Sequence, residues 1–203
     1  MAQLAQKIVD RPFFDGPSTR MSTEERDFAA EWIKDNFMFM DTRRDGPNDI
    51  DGILSVASAA VMRMGCRILV IDPYNHIKLN HGQRETDAIS DMLTSVQQFA
   101  RDHDCHVFFI AHPTKLPPDR RGDKKAVVTG HDIAGSAAWF AKADIGMTAW
   151  RHQRDEEPPE CHIWKIRWSW IGKHGVCPLH FDKVTGRWHD FGPAFDDYDW
   201  DFE

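Results

Sequence analysis

Ile68-Leu69-Val70-Ile71-Asp72-Pro73-Tyr74-Asn75 is the stretch on which the fold turns. Its four consecutive apolar residues predict a parallel strand buried on both faces. A helix follows, marked by Ile89, Leu93, Val96, Phe99 and Ala100. Val107-Phe108-Phe109-Ile110 is then a second strand of the same buried kind. Strand, helix, strand at this spacing is a βαβ unit, whose crossover is expected to be right-handed.

Working outward from that unit, Ser22-Thr23-Glu24-Glu25 reads as a capping box opening a helix with Phe28, Trp32 and Ile33 at helical spacing. The short apolar run Phe37–Met40 predicts a strand. Ile50, Ile53, Leu54, Ala57, Val61 and Met64 fall on one face of a further helix, with Gly65 where a glycine C-cap would sit. Downstream of a loop containing Pro and Gly, Ile133–Ala143 reads as helix and Ile145–Trp150 as extended. Three more strand-like runs follow, His162–Trp168, Cys177–Phe181 and Arg187–Phe191, the last two joined by a hairpin signal, Asp182-Lys183-Val184-Thr185-Gly186. The expected organisation is a helical lead-in over 1–36, an α/β core over 37–191 and an acidic aromatic tail over 192–203.

The net charge of −7 divides unevenly along the 203 residues. Asp190–Glu203 holds six acids and no Lys or Arg, which leaves −1 on the other 189 residues. Lys115–Lys125 carries five bases against two acids. A near-neutral body with one basic loop and one acidic tail is compatible with a nucleic-acid partner despite the acidic balance. No apolar run approaches the roughly 18 residues that cross a bilayer, and the first residues lack the pattern of a secretory signal. Cys66, Cys105, Cys161 and Cys177 form no Cys-x-x-Cys pair, so neither a zinc site nor a disulfide framework is expected, and a reducing cytoplasm fits.

Asp72 closes an apolar strand, the Walker B pattern, and a carboxylate at the carboxyl end of a parallel strand can hold Mg²⁺ through its water shell. Taken alone it is more often a turn or cap residue, since apolar strands ending in Asp are common. His112 ends the neighbouring strand, in Ile110-Ala111-His112-Pro113-Thr114-Lys115, where it could sense a phosphate or simply be a satisfied structural histidine.

Five blocks, in order, narrow these alternatives. Val70–Asn75, Glu85-Thr86 and Ala111–Lys115 resemble the Twinkle-like primase-helicases of phages and bacteria. So do Asp132-Ile133-Ala134-Gly135-Ser136-Ala137 with Trp139-Phe140 and Lys142-Ala143-Asp144, and Lys165-Ile166-Arg167 with Trp170-Ile171-Gly172-Lys173, then Asp182 and Thr185-Gly186-Arg187. The resemblance implies a RecA-like P-loop NTPase core, a mostly parallel sheet with helices on both faces and a carboxy-terminal β-hairpin. It implies a DnaB-type replicative DNA helicase that uses ATP and Mg²⁺ and assembles as a ring, usually a hexamer, around single-stranded DNA in a bacterial or phage-infected cytoplasm. Asp72 would then be the Mg²⁺ carboxylate, His112 the phosphate sensor and Arg151 the arginine finger. Lys165 and Arg167 would reach a neighbour's phosphates, the bland reading being the solvated face of a strand. The loop Leu116–His131 would line the ring's channel, with Lys115, Arg120, Arg121, Lys124 and Lys125 on backbone phosphates and Lys78 and Arg84 as weaker DNA contacts.

The same resemblance exposes a gap. No Gly-x-x-x-x-Gly-Lys-Ser/Thr loop occurs in these residues; the single Gly-Lys is Gly172-Lys173-His174, and it comes too late. His76 also stands where relatives tend to have Glu, and Ala138 and Ala141 replace polar residues. The phosphate-loop strand of this family lies between the His112 strand and the strand ending near Trp150. Those two strands are therefore expected either to close on each other or to fold poorly. A partial helicase domain unable to hydrolyse ATP alone, sharing its nucleotide with a phosphate loop or subunit outside these residues, is the reading. The alternative is a non-catalytic ring-assembly module.

The tail interleaves Phe191, Phe195, Tyr198, Trp200 and Phe202 with its acids, a pattern suited to docking rings in a partner's pocket while carboxylates meet surrounding cations. Covering the last hairpin, or shielding the basic loop, are the competing roles. Deleting Phe195–Glu203 is expected to leave the fold intact and abolish binding to a cognate polymerase or replication factor, measured by co-purification; unchanged binding rules out docking.

Overall fold

The computed structural model describes residues 1–41, 46–79, 82–113, 127–133, 136–151 and 158–190. Helices α1 (Ala2–Val9), α2 (Thr23–Asn36) and α3 (Ile50–Met64) precede β1 (Ile68–Ile71), α4 (Glu85–Asp102) and β2 (His106–Phe109). After these come α5 (Ser136–Lys142), β3 (Ile145–Trp150), β4 (Glu160–Ile166), β5 (Gly175–Phe181) and β6 (Trp188–Asp190). No described helix is long and apolar enough to cross a membrane.

The ends of the helices follow from their capping residues. Ser22 and Glu25 form the expected reciprocal box, with Ser22 Oγ accepting from the Glu25 amide and the Glu25 carboxylate from the Ser22 amide. Asp49 caps α3 through the Gly52 amide, and Gly65 ends it at φ 71°, a left-handed conformation that glycine adopts without strain.

β1 and β2 pair in parallel, Ile68 opposite His106 through Ile71 opposite Phe109, with α4 as the crossover. One face of this pair is covered: Leu69, Val107 and Phe109 pack on Leu54 and Ala57 of α3 and on Val96 and Phe99 of α4. The other face is bare, with Ile68 61%, Val70 56%, Phe108 40% and Ile110 39% exposed. Burial on both faces, expected from the unbroken apolar run, is therefore not met, because both helices lie on the same side.

Phe37–Met40 is not a strand. Phe37 is extended (φ −125°, ψ 134°), but no described strand pairs with it, and its ring stacks on Phe39 at 5.9 Å instead. Nor do the strands flanking the expected gap close up. β1-β2 is a two-stranded sheet and β3-β4-β5-β6 a separate four-stranded one, so β2 and β3 are not hydrogen-bonded neighbours.

Two compact units result, Met1–Phe39 with Ala149–His162 and Gly175–Glu203, and Met40–Thr148 with Ile163–His174. In the first, α1 and α2 enclose Ala5, Met21, Ala29 and Ile33. Lys7 donates to the Gly186 carbonyl at 2.6 Å and Arg187 pairs with Asp10 at 3.1 Å, which ties α1 to the β5–β6 hairpin. That hairpin turns where its sequence predicts: Gly186 takes φ 69°, and Asp182 accepts from the Val184 amide at 2.8 Å and the Thr185 hydroxyl at 2.5 Å.

The Thr185 hydroxyl, then the Val184 amide, hold the Asp182 carboxyl below its ordinary range. A depressed folded value means the turn's contribution is complete above the unfolded carboxyl's titration and is lost as pH falls through the folded one. Asp182→Asn is thus expected to lower the urea midpoint at neutral pH, with the gap from the parent closing in acid; a gap independent of pH contradicts this.

Candidate functional site

Asp72 and His112 arrive at the same end of the sheet because β1 and β2 run in parallel and in register. The Ile110 amide donates to the Ile71 carbonyl at 2.9 Å, and the Tyr74 amide donates back to the Ile110 carbonyl at 2.9 Å. The chain leaving β1 is thereby stitched to the chain leaving β2. Tyr74 is the bolt: only 6% exposed, its ring lies 4.8 Å from Trp139 and 6.5 Å from Phe109, edge-on to both. Burial, and secondarily the Glu85 carboxylate, push its hydroxyl above the ordinary tyrosine value. Sequence reasoning quoted Tyr74 without assigning it a role; an aromatic two residues after the strand-ending carboxylate was the available signal.

Asp72 and His112 themselves are exposed, with their backbones fixed and their side chains facing solvent. An exposed carboxylate that accepts only, beside a histidine able to donate, is compatible with Mg²⁺, which keeps several waters and takes one or two protein carboxylates along with phosphate oxygens. No cluster of three metal-ligating side chains exists among the described residues, so any ion here would need further ligands from outside them. Lys78 and Arg84 are exposed in the connection from β1 to α4; the Lys78 amide bonds to the Asn48 carbonyl at 2.7 Å, and Arg84 is the α4 N-cap residue.

Lys165 and Arg167 form a second group. The amine of Lys165 donates to the carbonyls of Phe140 and Ala141, the latter at 3.0 Å, and sits 5.2 Å from the Phe140 ring centre. Arg167 donates to the carbonyls of Ala141, Lys142 and Ala143 at 3.0, 3.2 and 3.4 Å. These are orphan carbonyls at the C-terminal end of α5, where cations are favoured by the helix dipole. Arg167 Nε also lies 2.6 Å from Asp144 Oδ1. That oxygen is buried without an aligned donor, so it is satisfied by charge rather than by a directed hydrogen bond. Burial, then the Arg167 charge, lower the Lys165 amine from its usual value, and Asp144 opposes them. In this conformation both cations are helix-capping groups.

Arg151 follows β3 and is exposed, and it belongs to the other compact unit from the four residues above. Lys115, Arg120, Arg121, Lys124 and Lys125 lie outside the described residues, as do residues 191–203 of the tail. The far attachment of the basic loop is described. Thr129 and Asp132 cap a 3-10 turn at Gly130–Asp132, and Thr148 donates to the Val128 carbonyl at 2.5 Å while accepting from Trp164 Nε1 at 3.0 Å. Trp164 lies so close over Gly146 that a Cβ there would clash with its ring.

Comparison with known proteins gives a consistent result. Residues 14–117 match the family model described as an AAA domain. The chain is 37% identical over 200 residues to the Twinkle homolog protein, chloroplastic/mitochondrial, of Arabidopsis thaliana, covering 93% of this chain and 27% of that protein. It thus spans about a quarter of that relative's length. Its fold matches a solved ATPase domain with a TM-score of 0.71 at 20% identity, over 93% of this chain and 68% of that one. A DnaB-like replicative helicase, solved in a study of its interactions with primase, matches with a TM-score of 0.69 at 20% identity, over 92% and 47%.

The α5 contacts make a direct prediction. Arg167→Ala strips three carbonyls and Asp144 of their cation, which is expected to cost about 1–2 kcal/mol, the range for charged hydrogen bonds reduced for partial exposure. Urea unfolding measures it; an unchanged midpoint would mean that Arg167 has no structural duty.

Proposed function

The chain belongs to the AAA domain family, with a sequence of the Twinkle type and the fold of DnaB-like helicases; from that premise we propose that it is a partial replicative DNA helicase domain that cannot hydrolyse ATP alone. The observation that supports the reading is that Asp72 and His112 follow two registered parallel strands at the same end, the end at which α/β sheets bind ligands. Bound ATP would supply the phosphoanhydride whose cleavage drives movement. Asp72 would hold Mg²⁺ through water, and His112 would donate a hydrogen bond to a phosphate oxygen.

Arg151, Lys165 and Arg167 are proposed to act on the nucleotide of a neighbouring subunit in a ring. For Lys165 and Arg167 this requires exchanging α5 carbonyls for phosphate oxygens, a trade of one set of acceptors for another of higher charge. Lys115, Arg120, Arg121, Lys124 and Lys125 are proposed to follow the backbone of single-stranded DNA, with Lys78 and Arg84 contributing less. The separation of β2 from β3 into different sheets favours a second reading, a non-catalytic module that supplies these cations to an intact helicase.

The purified chain is expected to bind single-stranded DNA with steep salt dependence and to show no DNA-stimulated ATP hydrolysis. Replacing Arg120, Arg121, Lys124 and Lys125 together by Ala is expected to flatten the slope of log K against log salt by up to about 3, at about 0.7 per lost phosphate contact. An unchanged slope sinks the loop assignment. Hydrolysis by the parent chain that Asp72→Ala abolishes overturns the claim of inactivity.

A further inference from the structure

The connection from β4 to β5 is not used by the reading above. It runs Arg167-Trp168-Ser169-Trp170-Ile171-Gly172-Lys173-His174 and turns on a bond from the Ile171 amide to the Trp168 carbonyl at 3.0 Å. Two indoles stand on this turn, their centres 6.0 Å apart and their planes inclined by 33°. Trp170 is 79% exposed, whereas tryptophan is among the most buried residue types on average. Ile171 beside it is 52% exposed. The Arg167 guanidinium lies 6.0 Å from the Trp168 ring centre.

Charge along this stretch of the sequence has one sign. From Cys161 to Phe181 the sequence contains no Asp or Glu, while Lys165, Arg167 and Lys173 are all cationic. Asp144, brought in by the fold, pairs with Arg167. An aromatic surface with cations at its rim matches a ligand that alternates flat π faces with phosphates. An apolar protein partner would not need the cations, and a purely anionic one would not need two indoles.

We propose that the Trp168–Trp170 turn is a base-stacking contact for single-stranded nucleic acid, distinct from the basic loop. The two sites divide the work by chemistry: the loop holds phosphates by charge, and the turn holds bases by stacking, which tolerates any sequence because every base has a π face. The proposal rests on the reading of the chain as a single-strand binder, and the test below separates the two.

The full chain is titrated with a labelled twenty-residue oligothymidine and with an abasic oligomer of the same length. Trp170→Ala is expected to weaken oligothymidine binding by roughly 5- to 150-fold, the loss typical of one stacked base. Its abasic binding is expected to stay within about twofold and its salt slope to match the parent. Trp170→Phe, which keeps a π face, is expected to recover most of the affinity. The quadruple loop variant is expected to lose both oligomers together. Oligothymidine binding unaltered by Trp170→Ala overturns the stacking role and leaves the loop reading standing. Equal loss of both oligomers in Trp170→Ala, or no recovery in Trp170→Phe, also overturns it. A parent chain that binds neither oligomer defeats both.

Discussion

Parallel pairing of β1 with β2 is the constraint on which the rest depends. Parallel strands cannot be joined by a tight turn, so a helix must cross over and bury itself on the sheet. The crossover α4 does this with Ile89, Met92 and Leu93 on one stretch and Val96 and Phe99 on the next. The first cluster includes Tyr74 and Trp139, so the core that holds the crossover also fixes the residues just after Asp72 and the helix ahead of β3. Tyr74, through its contacts with Phe109 and Trp139, thereby links the core to the chain leaving β1.

A sheet made of parallel strands ordinarily has both faces covered. Here the face carrying Ile68, Val70, Phe108 and Ile110 is open, and β2 ends a two-stranded sheet. On β3, Ile145 and Met147 are likewise 38% and 50% exposed. Exposed apolar side chains thus lie on both β2 and β3, which are not hydrogen-bonded neighbours among the described residues. Asp72 and His112 follow two paired strands, while β2 and β3 belong to different sheets.

Much of this was legible in the residues. The βαβ unit, the Ser22 capping box, the Gly65 C-cap and the Asp182–Gly186 turn all rest on short-range chemistry, and each appears as expected. What failed depends on partners that local sequence does not encode. Phe37–Met40 has the composition of a strand and no described neighbour to pair with. The run Ile68–Ile71 has the composition of a fully buried strand and only one covered face. Among site residues, the positions of Asp72 and His112 followed from strand register. The engagement of Lys165 and Arg167 by the end of α5 did not, because it joins residues about 25 apart through backbone carbonyls that carry no side-chain signature. The exposure of Trp170 was not legible either, because which tryptophans reach solvent depends on the packing and not on local sequence.

Asp72 and His112 are proposed to form one side of a nucleotide site whose phosphate-binding side lies outside these residues. Gain of function tests this most directly. A strand, a Gly-x-x-x-x-Gly-Lys-Ser/Thr loop and a helix fused ahead of Met1 would supply the central strand and the phosphate cradle together. The fused protein is expected to acquire Mg²⁺-dependent ATP hydrolysis and to lose it on Asp72→Ala. A folded fusion that binds ATP but hydrolyses none, or one whose hydrolysis survives Asp72→Ala, would contradict the assignment.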